Sequence, residues 1–377
     1  MCETGPDVPQ PPADPPSARS LTRVVPEMSA ALDGRSEWFP PARSAIVWVL
    51  DGLGAYNLST RAGHARFLSE ARSKKDAART VFPSTTAAAL TSLLTGVLPG
   101  QHGIVGYRAR IPGTDDVVNQ LRGWDTDGLD LSFQRGAPLS TTLGRPFFAV
   151  TRQEYAGTGF TAVTLPGAQF HGVDDLEDRV RTAADLAARH PGSLVYLYAP
   201  DLDGIGHKRG WESDEWVAGL ETVDAAARTL AASLAPGTGV VVTSDHGMVD
   251  VPRHRHVLLS EGDPLLDGVR LIGGEPRMLH LYAEPGRAAD VLERWRAAES
   301  SRSWVFPRDE LIVSGLLGVV APEVIERIGD VIVAPRAGIA YYDDRLADKA
   351  PQKMVGQHGS LTDEERIVPL IRLGAFA

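Results

Sequence analysis

Six acidic and imidazole residues between positions 51 and 358 each lie beside glycine or at the end of an apolar run. They are Asp51 in VWVLDGLG, Asp203 and His207 in DGIGH, Asp245 and His246 in VVTSDHG, and His358 in GQHGS. Three carboxylates and three imidazoles suit two divalent cations. The segment FPSTTAAALTSLLTG (82–96) adds a hydroxyl nucleophile to sit beside them, so the set reads as a phosphoryl-transfer site.

Each motif also has a plainer reading. An acid before glycine at a strand end, such as Asp51, is commonly a turn former. The pair Asp245–His246 leaves an apolar run into Gly247, where a sharp turn lets both side chains reach one ion. In DGIGH two glycines separate Asp203 from His207, which lets the chain fold around an ion that both touch. Asp201 is the competing carboxylate, assigned here to an outer role such as orienting an imidazole or holding the loop. Flanking glycines give His358 close approach to a crowded site, whereas His254 and His256 in PRHRH have basic neighbours and are placed at the surface or rim. The FPSTT stretch runs into an Ala/Leu helix whose free N–H groups suit phosphate oxygens. A simple Ser/Thr cap explains one of its hydroxyls. Ser84 and Thr85 are the fallback nucleophiles.

The elements that position these residues follow from patterning. Apolar runs at 45–50, 193–199 and 239–244 suit parallel strands buried on both faces. Amphipathic stretches at 173–190 and 213–234 suit helices. The alternation predicts a doubly wound, mainly parallel α/β sheet flanked by helices, which gathers ligands beyond the carboxyl ends of its strands. Asp51, Asp203 and Asp245 each follow such a run, so that fold brings them to one edge. Residues 1–43, rich in Pro, Ser and Asp, read as a disordered tail. Residues 44–255 and 340–377 are assigned to the catalytic core, and 256–339 to an inserted smaller α+β cap.

Composition narrows the function. The 377 residues carry 43% hydrophobic and 23% charged residues, as soluble globular proteins do. A formal charge of −10 opposes binding a nucleic-acid polymer through a broad basic face. The only cysteine, Cys2, excludes internal disulfides and thiolate-built zinc sites, which leaves His and carboxylate as ligands. No apolar stretch suits a signal-peptide core or a membrane span, so a cytoplasmic location is the expectation.

At this point the residues resemble the alkaline phosphatase superfamily and, within it, the type I phosphodiesterase/nucleotide pyrophosphatase family. The likeness covers about residues 44–374. The family's nucleophile motif, F-P-T-x-T with a helix ending in T-G, then Pro and H-G-I, is matched without a gap by FPSTTAAALTSLLTG, Pro99 and His102-Gly103-Ile104. The resemblance implies that Thr86 is the nucleophile. It also implies one zinc held by Asp51, Thr86, Asp245 and His246, and a second by Asp203, His207 and His358, with manganese as the alternative metal. The family often has Asn just beyond H-G-I-V, where this chain has Gly106-Tyr107. The Tyr107 hydroxyl, Asn119 and the Thr86 N–H are therefore the candidate substrate contacts. The implied activity is hydrolysis of phosphodiester or pyrophosphate bonds in a small, nucleotide-like substrate through a phosphothreonine intermediate. A phosphonate hydrolase, a phosphomonoesterase, a phosphosugar mutase and a non-catalytic metal-binding scaffold are the competing readings. A sulfatase is set aside because no C/S-x-P-x-R motif is present.

Overall fold

Strands β1 (Ser44–Leu50), β2 (Ala77–Arg79), β3 (Phe147–Thr151), β4 (Gln169–Gly172), β5 (Leu194–Ala199), β6 (Thr238–Thr243) and β7 (Ile367–Gly374) form one sheet in the order β2-β7-β6-β1-β5-β3-β4. These coordinates are a computed structural model that describes residues 11–73 and 76–377. The pairs β6/β1, β1/β5, β5/β3 and β3/β4 are parallel, and β7 runs antiparallel to both β6 and β2. The sheet is therefore doubly wound and mainly parallel, with an antiparallel edge.

Period-two alternation along each strand divides the core into two layers. Ile46, Trp48, Leu50, Val195, Leu197, Val240 and Val242 face helices α3 (Leu176–Arg189) and α5 (Asp214–Ser233), which supply Val180, Ala184, Trp216, Leu220 and Val223. Ala45, Val47, Val49, Tyr196, Tyr198 and Val241 face the other way, towards α1 (Val24–Leu32) and α2 (Thr86–Thr95). Asp175 caps α3 by accepting the Asp178 N–H, and Ser213 caps α5 by accepting the Trp216 N–H. No helix among the described residues is long and apolar enough to cross a membrane.

Two expectations are corrected. Residues 1–10 lie outside the described residues, but the rest of the segment assigned to a disordered tail contains α1, with Val24, Val25, Met28 and Ala31 buried against the sheet. Its apolar face is only nine residues long, and the surrounding prolines hide it from a composition reading. DGIGH is not a loop around an ion but part of helix α4 (Asp201–Arg209), so Asp203 and His207 share one face by helical spacing.

A second, antiparallel sheet lies in the order Val269–Glu275, Met278–Ala283, Val331–Pro335, Ser303–Pro307. Helix α6 (Ala288–Glu299) covers one of its faces with Val291 and Trp295. The other face packs through Met278, Phe306 and Ile332 onto Phe82, Val105 and Ala109 of the first unit.

Candidate metal centre

The six side chains converge at the carboxyl edge of the central strands. Asp51 follows β1 directly, with its N–H bonded to Ala199 O of β5 at 3.0 Å. Asp245 and His246 leave β6. Asp203 stands in the first turn of α4, and His358 follows the short strand Gly356–Gln357. Two glycines permit the closeness. Gly52 has φ +75°, and a Cβ there would sit 3.2 Å from the Asp203 Cα. At Gly247 a Cβ would lie 2.0 Å from Glu364 O.

The ligand atoms sort into two groups, Asp51 with Asp245 and His246, and Asp203 with His207 and His358, each spanning no more than 4.8 Å. In the first, His246 Nε2 lies 3.4 Å from Asp51 Oδ1 and 3.4 Å from Asp245 Oδ2. In the second, Asp203 Oδ1 lies 3.2 Å from His207 Nε2 and 3.9 Å from His358 Nε2. The groups touch, because the His246 and His358 rings stack 3.5 Å apart at 11°. Thr86, the first residue of α2, places Oγ1 3.1 Å from His246 Nε2. The helix-start N–H groups beside it have no intrahelical acceptor.

The donor set fits divalent cations by its own hydrogen bonding. Each imidazole donates Nδ1–H to a backbone carbonyl: His207 to Gly356 at 2.8 Å, His246 to Gly247 at 3.0 Å and His358 to Ser84 at 2.8 Å. A carbonyl only accepts, so Nδ1 holds the proton and each Nε2 lone pair is left to face the site. Asp51 Oδ1, Asp203 Oδ1 and Asp245 Oδ2 are buried with no hydrogen-bond partner. Unpaired carboxylate oxygens are costly in a protein interior. Burial, followed by the charges of Asp245 and Asp203, holds the Asp51 carboxyl well above its usual range. Burial and the neighbouring His246 and His207 hold His358 well below the ordinary imidazole value. Both shifts are those of a cluster shaped for a positive guest.

Asp201 does not orient an imidazole. It accepts hydrogen bonds from Arg152 and, at 3.1 Å, from the buried Arg179, on the far side of α4 from Asp203. Ser84 donates to Ser360 O at 2.8 Å, which leaves Thr86 as the half-buried hydroxyl of the FPSTT run that meets the ligands. His254 is exposed, and His256 bonds Val251 O at 3.2 Å. Asn119 Oδ1 is occupied by the N–H groups of Leu121 and Arg122 at 2.8 and 3.0 Å. Tyr107 borders a cleft of about 120 Å³ at the junction with the second sheet, its N–H donated to Glu275 at 2.9 Å.

Supporting residues escape motif reading. Asn57 bridges both backbone groups of Met248, at 3.0 and 3.3 Å, and so fixes the loop after His246. Glu365 accepts the Gly247 N–H on its carbonyl at 2.8 Å and the Ser360 N–H on its carboxylate at 3.0 Å. Tyr198 donates to Asp51 Oδ2. Only strand register gives a signal for Tyr198; the other two have none in sequence.

Known proteins share this architecture. Murine ectonucleotide pyrophosphatase/phosphodiesterase 5 superposes with a TM-score of 0.68 at 19% identity, covering 86% of this chain and 87% of that one. An inactive form of it in complex with AMP gives 0.64 at the same identity and coverage. Phosphonoacetate hydrolase from Sinorhizobium meliloti 1021, in complex with phosphonoacetate, gives 0.67 at 20% identity, covering 89% and 91%. A Schizosaccharomyces pombe protein described as an uncharacterized pyrophosphatase/phosphodiesterase is 25% identical over 190 residues, 47% of this chain. The chain spans 39% of that relative's length. The sequence model for type I phosphodiesterase / nucleotide pyrophosphatase matches residues 45–361, a span that holds Thr86 and all six ligand candidates, and the chain belongs to that family.

Proposed function

We propose that the protein is a metal-dependent hydrolase of phosphodiester or pyrophosphate bonds in small, nucleotide-like substrates, with Thr86 as its nucleophile. The observation that carries this reading is the Thr86 hydroxyl at the start of α2, 3.1 Å from His246 and beside two carboxylate–imidazole groups. Asp51, Thr86, Asp245 and His246 would hold one cation, and Asp203, His207 and His358 the other. Two divalent cations, zinc in this reading, would supply Lewis-acid polarisation of the phosphoryl oxygens and would favour deprotonation of the Thr86 hydroxyl.

The chain's own groups do the rest. Thr86 Oγ attacks phosphorus and the bond to the leaving oxygen breaks, which gives a phosphothreonine. Water then cleaves the Oγ–P bond, restoring the hydroxyl and releasing the phosphoryl product. Two in-line displacements give retention at phosphorus. The unbonded N–H groups at the start of α2, that of Thr86 included, face developing negative charge. The Tyr107 hydroxyl is the side-chain candidate for the same task.

A substrate panel tests the reading: bis-p-nitrophenyl phosphate, p-nitrophenyl phosphate, a nucleotide phosphodiester and phosphonoacetate, with zinc-loaded and chelator-stripped protein. Zinc-dependent turnover highest on the diesters is expected. Preference for phosphonoacetate or for the monoester moves the assignment to those reactions, and turnover of none removes it. Thr86→Ala is expected to lower kcat at least about a thousandfold while leaving metal content nearly intact. Undiminished turnover in that variant would overturn the role of Thr86.

A further inference from the structure

Tyr198 lies on β5 next to the strand that delivers Asp51. Val49 and Tyr198 are register partners in the parallel β1/β5 pair, and Asp51 stands two residues beyond Val49. Side chains two apart on a strand leave the sheet on the same face, so the phenol and the carboxylate meet diagonally across the strand ends. The Tyr198 hydroxyl donates to Asp51 Oδ2, and the ring is buried. Tyr196 stacks on it at 6.0 Å, and Tyr155 packs edge-on at 5.9 Å, which fixes the ring against rotation.

The two oxygens of Asp51 are consequently unequal. Oδ2 carries the phenol, while Oδ1 is buried, unpartnered and 3.4 Å from His246 Nε2. Asp245 shows the same division by other means: its Oδ1 accepts the N–H groups of Gly52 and His246 at 3.2 and 3.1 Å, leaving Oδ2 free on the same imidazole. A carboxylate with both oxygens free can ligate through either or both. Here dedicated donors remove that choice at each residue. Backbone amides do so for Asp245, but no amide among the described residues reaches Asp51 Oδ2, and the phenol takes that place.

We infer that Tyr198 is a positioning residue for Asp51: its hydroxyl holds Oδ2, so Asp51 ligates through Oδ1 alone, and this sets the cation affinity of the Asp51–Asp245–His246 group. The role assigned to the phenol is to position the carboxylate through the bond to Oδ2. The inference rests on the two-cation reading above. A buried tyrosine that merely needs a hydrogen-bond acceptor would be satisfied equally by any oxygen, and its loss would not single out one cation group.

The test isolates each group in turn. His207→Ala disables the Asp203–His207–His358 group and His246→Ala disables the other, and zinc affinity of the remaining group is measured by competition with a chromophoric chelator. Adding Tyr198→Phe to His207→Ala removes the donor but keeps the ring, and is expected to weaken zinc about 10- to 100-fold. Adding it to His246→Ala is expected to leave affinity within about twofold. Circular dichroism and thermal melting of the metal-free variants report whether packing survives. Unchanged affinity in the His207→Ala background, or equal loss in both, overturns the inference alone. Absence of zinc binding by the parent protein overturns the two-cation reading and the inference with it.

Discussion

At the scale of single residues, buried imidazoles divide into two kinds. Those of the candidate metal centre turn Nε2 towards the site, with only the Thr86 hydroxyl bonded to one of them, at His246, whereas His102 and His280 have both nitrogens engaged away from it. His102 Nδ1 accepts the Ile104 N–H at 3.1 Å and Nε2 donates to Ser92 Oγ at 2.7 Å. His280 Nδ1 accepts the Gly329 N–H at 3.1 Å and Nε2 donates to Val105 O at 2.9 Å. Burial pushes them down to about 3 and about 4, respectively, from the ordinary value of 6.5. A group whose folded pKa is depressed lends stability above its unfolded pKa and loses it as pH falls. Urea midpoints of metal-free protein should therefore hold above pH 6.5 and drop steadily towards pH 4, less steeply in His102→Asn. A second expectation concerns Asp51, whose carboxyl is held well above its usual range by burial and then by the charges of Asp245 and Asp203. Asp51→Asn removes a group whose ionisation the folded state opposes and should raise the stability of metal-free protein near neutral pH by about 1 kcal/mol, within the usual range for a stabilising substitution. Zinc binding at that group should fall at the same time.

At the scale of elements, the centre depends on abrupt chain reversals after β1 and β6 and on the start of α2. Gly54 and Gly247 come together so closely that a Cβ on Gly54 would stand 2.7 Å from the Gly247 Cα. Gly247→Ala would press its methyl against Glu364 O and break the Gly247 N–H bond to Glu365 O. The loop carrying His246 must then shift, with an expected loss of about 1–3 kcal/mol by chemical denaturation and a larger proportional fall in turnover. Helix α4 supplies the opposite device. Its regular spacing sets Asp203 and His207 on one face and turns Asp201 towards Arg152 and Arg179, so Asp201→Asn should perturb stability while sparing zinc content.

At the scale of the whole molecule, one buried ion pair joins the second sheet to both halves of the centre. Arg277, in the turn between strands Val269–Glu275 and Met278–Ala283, donates Nε and Nη2 to Glu365 at 2.7 and 2.8 Å, with both side chains buried. Glu365 in turn holds Gly247, next to His246, and Ser360, two residues after His358. Breaking one partner leaves an uncompensated buried charge, and Glu365→Gln should cost about 3–5 kcal/mol in urea unfolding. Arg277→Met combined with Glu365→Gln should cost less than the single changes summed.

Residue type and local spacing single out Asp51, Asp203, His207, Asp245, His246 and His358, which the fold gathers into two groups, because strand-then-carboxylate and glycine-flanked histidine patterns are written within a few positions. The alternation of apolar runs with amphipathic stretches likewise carried the doubly wound sheet. Tertiary structure decided what depends on partners far apart in the chain. Helix α1 buries its apolar residues against a face that only the folded sheet provides. Arg152 and Arg179, from other elements, engage Asp201, while Asp203 lies with His207 and His358. Which oxygen of each carboxylate and which nitrogen of each imidazole stays free was set by carbonyls, amides and the Tyr198 phenol brought up by folding. Hydrogen bonds of that kind join positions up to 274 residues apart, as between His358 and Ser84, and no local pattern encodes them.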